Sequence, residues 1–324
     1  KRYKMIISIT HEIDLDGLGS QAIIKRYFTY FKNTKSDDIL CYYAHYINFK
    51  EVVQEVLSKI TPEGLLIISD IGFNEDFMEL FPLFKKCKEK NCRIYWFDHH
   101  IVDKEIQRVL KNTLEEYIND PIRCTAEIIK DYYLPHDPIA IKIASFSRDT
   151  DFKTKKYAIA SKIQSIISFN RGNELKKNKE KIVSLMADGI FENEWYEKQL
   201  IKIRVWEEEQ TQFAINHAKL IKIEEFGKFI ISFAKLSGGK VVSILKDYYP
   251  KAKFFIGIDI RYNEITIHSD YVDCRELARN FKGGGHKNRA GFKYEKIFTK
   301  NYEYNQEFIR NIKKSINQFK INKT

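Results

Sequence analysis

The chain has no apolar run of membrane length, no internal repeat, no low-complexity tract and no C-x-x-C pair. The first absence excludes a helical membrane protein. A wholly disordered chain is excluded by composition, with 44% hydrophobic residues against 31% charged. Five cysteines (Cys41, Cys87, Cys92, Cys124 and Cys274) are an odd, scattered set in 324 residues, which suggests neither a disulfide framework nor a zinc site. Such cysteine use fits a reducing cytoplasm. The apolar stretch 5–9 is too short for the core of a signal peptide, so no targeting segment is expected.

What is present is a length suited to about two domains and an excess of base, 55 Lys and Arg against 44 Asp and Glu, for a net charge of +11. The charge favours polyanionic partners, although a Lys-rich solubilising surface is its simpler explanation. Short apolar runs at 5–9, 65–68 and 93–97 read as buried strands, with helical-period segments at 21–31 and 49–60 between them and Thr61-Pro62 as a stop. The expected fold class is α/β: an N-terminal, doubly wound, mostly parallel sheet over residues 1–155, a helical connector over 156–217, and a smaller C-terminal α/β domain with a mixed sheet over 218–324. Strands are expected there at 229–234, 254–260 and 264–268, the last two joined as a hairpin at Tyr262-Asn263, with a C-terminal helix at 305–320.

Each early strand ends in metal-ligating side chains: His11-Glu12-Ile13-Asp14-Leu15-Asp16-Gly17, then Ser69-Asp70, then Asp98-His99-His100. Carboxyl ends of strands in an open parallel sheet line one crevice, so these groups should converge. Asp149 follows an apolar segment, 139–146, that suits either a strand or a buried helix. Clustered carboxylates repel and need cations to stay ionised. Imidazole mixed with carboxylate suits Mn²⁺ or a related ion such as Mg²⁺ or Co²⁺ better than an all-oxygen Ca²⁺ shell. His11, Asp14, Asp16, Asp70, His99 and Asp149 suffice for two ions sharing a carboxylate. Water between such ions is hydroxide near neutral pH, and a phosphate ester is the natural substrate. Taken singly, Asp70 or Asp149 reads more simply as a cap or turn residue, and His45, His136 and His217 lack acidic neighbours at ligand spacing.

A second feature is Phe281-Lys282-Gly283-Gly284-Gly285-His286-Lys287, whose glycines let backbone N–H groups approach an anion. Ser237-Gly238-Gly239-Lys240 lacks the spacing of a nucleotide-binding P-loop and reads as a strand-to-helix turn.

The group of His11, Asp14 and Asp16, then Asp70, Asp98-His99-His100 and Asp149-Thr150, resemble the four motifs of the DHH phosphoesterase superfamily. Gly283-Gly284-Gly285-His286 looks like the signature of its associated C-terminal domain, in the branch holding nanoRNases, pAp phosphatases and dinucleotide phosphodiesterases. Five motifs in the right order carry the resemblance over both domains. It implies one metal on His11, Asp14 and Asp70 and a second on Asp16, Asp70, His99 and Asp149, with His100 facing the scissile phosphate and Asp98 orienting the histidines. It implies that His286, its glycines, His268 and Ser269 receive the phosphate or sugar end of the substrate. Two positions depart: His268-Ser269 stand where the family often has Arg-Ser, and Arg289-Ala290-Gly291 where Ala-Ala-Gly commonly follows. Both touch end recognition and not the metal chemistry.

The expected activity is that of a hydrolase, a Mn²⁺-dependent phosphodiesterase. It would cut short oligoribonucleotides or linear dinucleotides to nucleoside 5′-monophosphates by in-line attack of a hydroxide bridging two ions. Alternatives are a cyclic-dinucleotide phosphodiesterase, a pAp phosphatase, or a RecJ-type single-strand exonuclease, which usually carries an extra oligonucleotide-binding domain. An inorganic pyrophosphatase would lack the Gly-Gly-Gly-His loop. A non-catalytic nucleotide sensor would be marked by lost ligands, and none is missing. Short RNA or a dinucleotide is the expected partner, with no membrane; no stable protein partner is inferable, and a homodimer is compatible with the sequence.

Overall fold

The structure is a computed structural model and describes residues 3–73, 75–172, 175–223, 227–300 and 303–318. The chain divides into two compact units, Lys1–Ile201 and Lys202–Thr324.

The first unit contains, in order, β1 (Ile6–His11), α1 (Leu15–Arg26), β2 (Ile39–Ala44), α2 (Phe49–Lys59), β3 (Leu65–Ser69), α3 (Phe81–Glu89), β4 (Arg93–Asp98), α4 (Lys104–Thr113), β5 (Glu116–Asn119), α5 (Thr125–Tyr133), α6 (Pro138–Asp151), α7 (Ala158–Phe169), α8 (Lys176–Ala187) and the start of α9 (Glu194–Asn216). Its five strands are all parallel, in the order β2-β1-β3-β4-β5. Both faces are covered. Ile7, Ile9, Leu66, Ile68, Ile94 and Trp96 pack with Phe49 and Val53 of α2, Phe84 of α3 and Leu110 of α4. The alternate side chains meet the other layer: Gln21 of α1 donates to the Ser8 carbonyl, and Phe97 packs on Tyr133 of α5. Burial on both faces explains why β1 and β3 read as unbroken apolar runs, and each fully buried large apolar side chain contributes roughly 1.5–3 kcal/mol.

From β1 the chain goes to β2 on one side and then to β3 on the other. A crevice therefore opens beyond the carboxyl ends of β1 and β3, where open α/β sheets bind ligands. The sequence reading missed β2 and β5, the two edge strands; β2 is interrupted by the exposed Leu40 and β5 has only 4 residues. It also began the first helix too late. α1 starts at Leu15 because Asp14 caps it, accepting from the Gly17 N–H, and residues Tyr27–Phe31 continue it as a π-helix. The ambiguous apolar segment is helix α6, started by the Asp137 cap with Pro138 in its first turn.

Residues 156–217, expected as a connector, divide between the two units at Ile201, inside α9. α7 and α8 hold the β1–α1 loop. Gln164 of α7 accepts from the Leu15 N–H (2.8 Å) and donates to the Ile13 carbonyl (3.1 Å). Lys179 of α8, 0% exposed, donates to the Glu12 carboxylate and the Gly172 carbonyl and lies over the Tyr43 ring. Removing one member of such a buried pair typically costs about 3–5 kcal/mol, because it leaves an uncompensated charge.

The second unit adds β6 (Lys219–Ile223), β7 (Gly227–Ala234), α10 (Gly238–Tyr248), β8 (Phe254–Asp259), β9 (Glu264–Ser269), α11 (Cys274–Arg279), β10 (Gly284–His286), β11 (Arg289–Lys293) and α12 (Gln306–Asn317). The expected end of the last helix at residue 320 lies outside the described residues. The sheet order is β10-β11-β9-β8-β7-β6, mixed, with β7 and β8 parallel and the other pairs antiparallel. β8 and β9 form the expected hairpin, Asn263 taking φ 53 in the left-handed region. Ser237 caps α10, so Ser237-Gly238-Gly239-Lys240 is the strand-to-helix turn it was read to be. Strands β6, β10 and β11 were not foreseen. The α/β class, with a parallel first sheet and a mixed second one, is the architecture observed.

Candidate metal centre

The acidic and imidazole side chains gather where the strand order turns. His11 is the last residue of β1, and Gly17 must be glycine because a Cβ there would lie 2.1 Å from the His11 carbonyl oxygen. This close approach folds Asp14 and Asp16 back against the strand end. Asp70 follows β3 with φ 59, an uncommon left-handed backbone for a residue with a side chain. Asp98 ends β4, and His99 and His100 follow it.

Asp70 sits between two histidines and turns one oxygen to each. Its Oδ2 is 3.8 Å from His11 Nδ1, and its Oδ1 is 3.4 Å from His99 Nε2. His11 Nδ1 is also 3.0 Å from Asp14 Oδ2, and His99 Nε2 is 3.9 Å from Asp16 Oδ2. Ligand atoms of His11, Asp14 and Asp70 lie within 4.8 Å of one another, as do those of Asp70, His99 and His100, and those of Asp16, His99 and Asp151. The start of α5 braces the carboxylates. Asp16 accepts from the N–H groups of Thr125 (2.7 Å) and Ala126 (2.8 Å), and the Thr125 hydroxyl donates to Asp70 Oδ1 (3.1 Å).

Within the protein alone, protons offset the charge of this cluster. Burial and the neighbouring Asp70 charge push the Asp16 carboxyl well above its ordinary range. Burial and the Asp14 charge push Asp70 up to about 7. Burial opposes protonation of His11, but the Asp14 and Asp70 carboxylates outweigh it and raise the imidazole to about 10. Among the described residues no Lys or Arg forms an ion pair with Asp14, Asp16 or Asp70; their charged partners are histidines. His11 Nε2 is buried without a hydrogen-bond partner. Three crowded carboxylates beside two imidazoles form a donor set that fits divalent metal.

His100 is arranged differently. Its Nδ1 is 2.7 Å from Asp98 Oδ1 and its backbone N–H donates to Asp98 Oδ2, while Asn119 of β5 donates to the His100 carbonyl. Burial disfavours the charged ring, yet Asp98 outweighs it and raises the His100 pKa. The fixed ring presents its other nitrogen away from Asp98.

Asp149 does not join the cluster. Its Oδ1 accepts from the Thr154 hydroxyl and the Lys156 N–H, and its Oδ2 from the Tyr157 N–H. Asp151 lies nearer, with Oδ2 3.7 Å from His99 Nδ1. The sequence reading missed Asp151, although it stands directly after Asp149-Thr150. It also set aside His45, whose ring centroid is 5.5 Å from that of His11, and overlooked Tyr46, whose hydroxyl accepts from the Gly72 N–H. Both follow the unforeseen β2.

In the second unit, Gly283, Gly284, Gly285 and His286 belong to the β10–β11 hairpin and its approach. A Cβ on Gly283 would lie 2.2 Å from the Gly291 carbonyl oxygen, and Gly285 has φ 142, so these two glycines serve the hairpin itself. Of the three, Gly284 has open space above its backbone, and His286 is exposed. The Ser269 hydroxyl is taken up by the N–H groups of Tyr271 and Val272. Lys246 Nζ lies 3.1 Å from His268 Nε2, and burial together with the Lys246 charge lowers the His268 pKa. Arg289 pairs with His268 in register, and its guanidinium occupies the space a Cβ on Gly239 would need. His268 and Arg289 are therefore neighbours.

Residues 4–156 match the sequence model of the DHH family, N-terminal domain. A search of curated proteins finds no match. Among solved structures, the chain is similar to the DHH domain of a member of a family of ribosomal proteins (TM-score 0.50, 11% identity, covering 97% of this chain and 86% of that one). It is also similar to an uncharacterized protein from Helicobacter pylori G27 (TM-score 0.44, 18% identity, 97% and 99% covered) and to CDC45 from Entamoeba histolytica (TM-score 0.47, 10% identity, 97% and 95% covered). At 11% identity the first of these likenesses is one of fold alone.

Proposed function

We propose that this chain is a metal-dependent phosphoesterase of the DHH superfamily, and within it a Mn²⁺-dependent phosphodiesterase acting on short oligoribonucleotides or linear dinucleotides. The observation that carries the reading is Asp70, buried and without a Lys or Arg ion pair among the described residues, with one oxygen turned to His11 and the other to His99. The DHH match over residues 4–156 supports the superfamily. His11 and Asp14 would hold one ion with Asp70, and Asp16 and His99 a second with it. Divalent ions so held supply Lewis-acid polarisation of a phosphate ester.

The protein's own groups do the rest. Asp98 fixes the His100 ring and favours its charged form, so that the free nitrogen can donate a proton or hydrogen bond to a phosphate oxygen. Thr125 and the α5 amides keep Asp16 and Asp70 from turning away. His286 and the open Gly284 backbone are the groups we assign to recognition of the substrate's end, with selectivity for RNA arising if a 2′-hydroxyl is contacted.

Product analysis with Mn²⁺ on a panel of dinucleotide, cyclic dinucleotide, pAp and a 5′-labelled RNA ladder at constant salt tests the reading. Release of nucleoside 5′-monophosphate, with rates falling beyond a few nucleotides, is expected. Processive degradation of long strands would replace it with the exonuclease reading, and absence of turnover on every substrate would overturn it.

A further inference from the structure

The end of α6 carries two carboxylates, Asp149 and Asp151, and we infer that Asp151 is the ligand that α6 gives the second ion, with Asp149 acting as a positioning residue. This rests on the metal-dependent reading above. Positions two apart on an α-helix point roughly 200° apart at 3.6 residues per turn, so one helix does not present both to the same site. The structure resolves which one faces the cluster. Asp151 lies with Asp16 and His99 in a set whose ligand atoms are within 4.8 Å, whereas Asp149 belongs to no such set among the described residues.

Asp149 is occupied instead with the chain that leaves the helix. Beyond Asp151 the backbone takes left-handed values at Lys153 and Lys155, φ 55 at both, and doubles back. Asp149 gathers this turn through the Thr154 hydroxyl and the N–H groups of Lys156 (2.6 Å) and Tyr157 (3.0 Å), and its carbonyl accepts from the Thr154 N–H (3.0 Å). A carboxylate with three donors would forfeit them on turning to a cation. By pinning the turn, it fixes the last turn of α6 and so the direction of Asp151.

One competing role for Asp151 is only to orient His99, since its Oδ2 lies 3.7 Å from His99 Nδ1. An asparagine separates the two, because its amide oxygen still accepts from an imidazole N–H but binds metal poorly. The experiment is Mn²⁺ calorimetry on the full chain and on Asp151→Asn, Asp151→Ala and Asp149→Asn, with thermal melts of the metal-free proteins. Wild type should bind two ions. Asp151→Asn should melt like wild type but lose the second ion, its affinity falling on the order of 100-fold or more, at or beyond the upper end of the cost of removing an outer-shell partner. Asp149→Asn should bind two ions and melt lower; Thr154→Val, which removes one of the Asp149 donors, carries the same expectation should Asp149→Asn not fold. Two ions in Asp151→Asn with a loss only in Asp151→Ala would reduce Asp151 to orienting His99. Loss of an ion in Asp149→Asn, alone or equally in both, would also overturn the assignment. A wild-type protein that binds no Mn²⁺ removes the metal reading itself, a failure visible before any variant is compared.

Discussion

In the first unit Asp14, Asp16 and Asp70 crowd around two imidazoles, and among the described residues no Lys or Arg pairs with them; in the second, His268 leans on Lys246, Ser269 closes a turn, and His286 stands in solvent. Protons alone offset the charge of the first set, whereas the second is hydrogen-bonded or solvated as it stands. Buried carboxylates this close stay ionised only beside a cation and otherwise take up protons, so the donor set itself points to the class of its ligand. An exposed hairpin needs no bound ligand to fold, so its geometry carries no such signature.

The contrast breaks most sharply at Asp70. Asp70→Asn should abolish turnover, a loss on the order of 100-fold or more, and should reduce bound Mn²⁺, because a neutral amide replaces a charge shared by two ions. Metal analysis beside activity decides this, and normal occupancy with normal activity would dissolve the distinction between the units. His286→Ala is the counterpart in the second unit. We expect about a tenfold loss in kcat/KM on a dinucleotide, equivalent to ~1.4 kcal/mol, with unchanged metal content and a smaller loss on a small generic phosphodiester. Equal losses on both substrates would move His286 into the chemical step.

The smallest expected effect is on stability. Asp16, Asp70 and His11 all hold protons more tightly folded than unfolded, so the metal-free protein should lose stability as pH rises. The Asp70 contribution is fully present below 3.8 and is lost as pH climbs through about 7. The His11 contribution is present below 6.5 and is lost through about 10. Asp14, whose pKa is lowered, works the other way, but only at acid pH. Melting curves from about pH 5 to about pH 9 should therefore slope downward without Mn²⁺ and flatten with it; parallel curves would show that the cluster is not the group titrating.

How far the sequence could be read follows the same physics. Strands buried on both faces, such as β1, β3 and β4, announce themselves as apolar runs, and the donors at their ends were found with them. β2 is an edge strand with an exposed Leu40, and losing it meant losing His45 and Tyr46 at its end. The choice between Asp149 and Asp151 depends on helical phase, which rotation of α6 about its axis would change and no local pattern records. The hairpin of Gly284–His286 is too short and too exposed to show a period, so its glycines were visible as composition and not as a strand.

The hold of α7 and α8 on the β1–α1 loop bears on how such proteins can be cut and recombined. The DHH match ends at residue 156, yet Glu12 is paired with Lys179 and Ile13 with Gln164, both beyond that limit. A piece ending at 156 would carry every first-unit residue assigned here to metal while stranding a buried glutamate beside His11. The smallest portable module is therefore longer than the stretch by which relatives are recognised. A transplant of this site should keep its shape only where α7 and α8 travel with it.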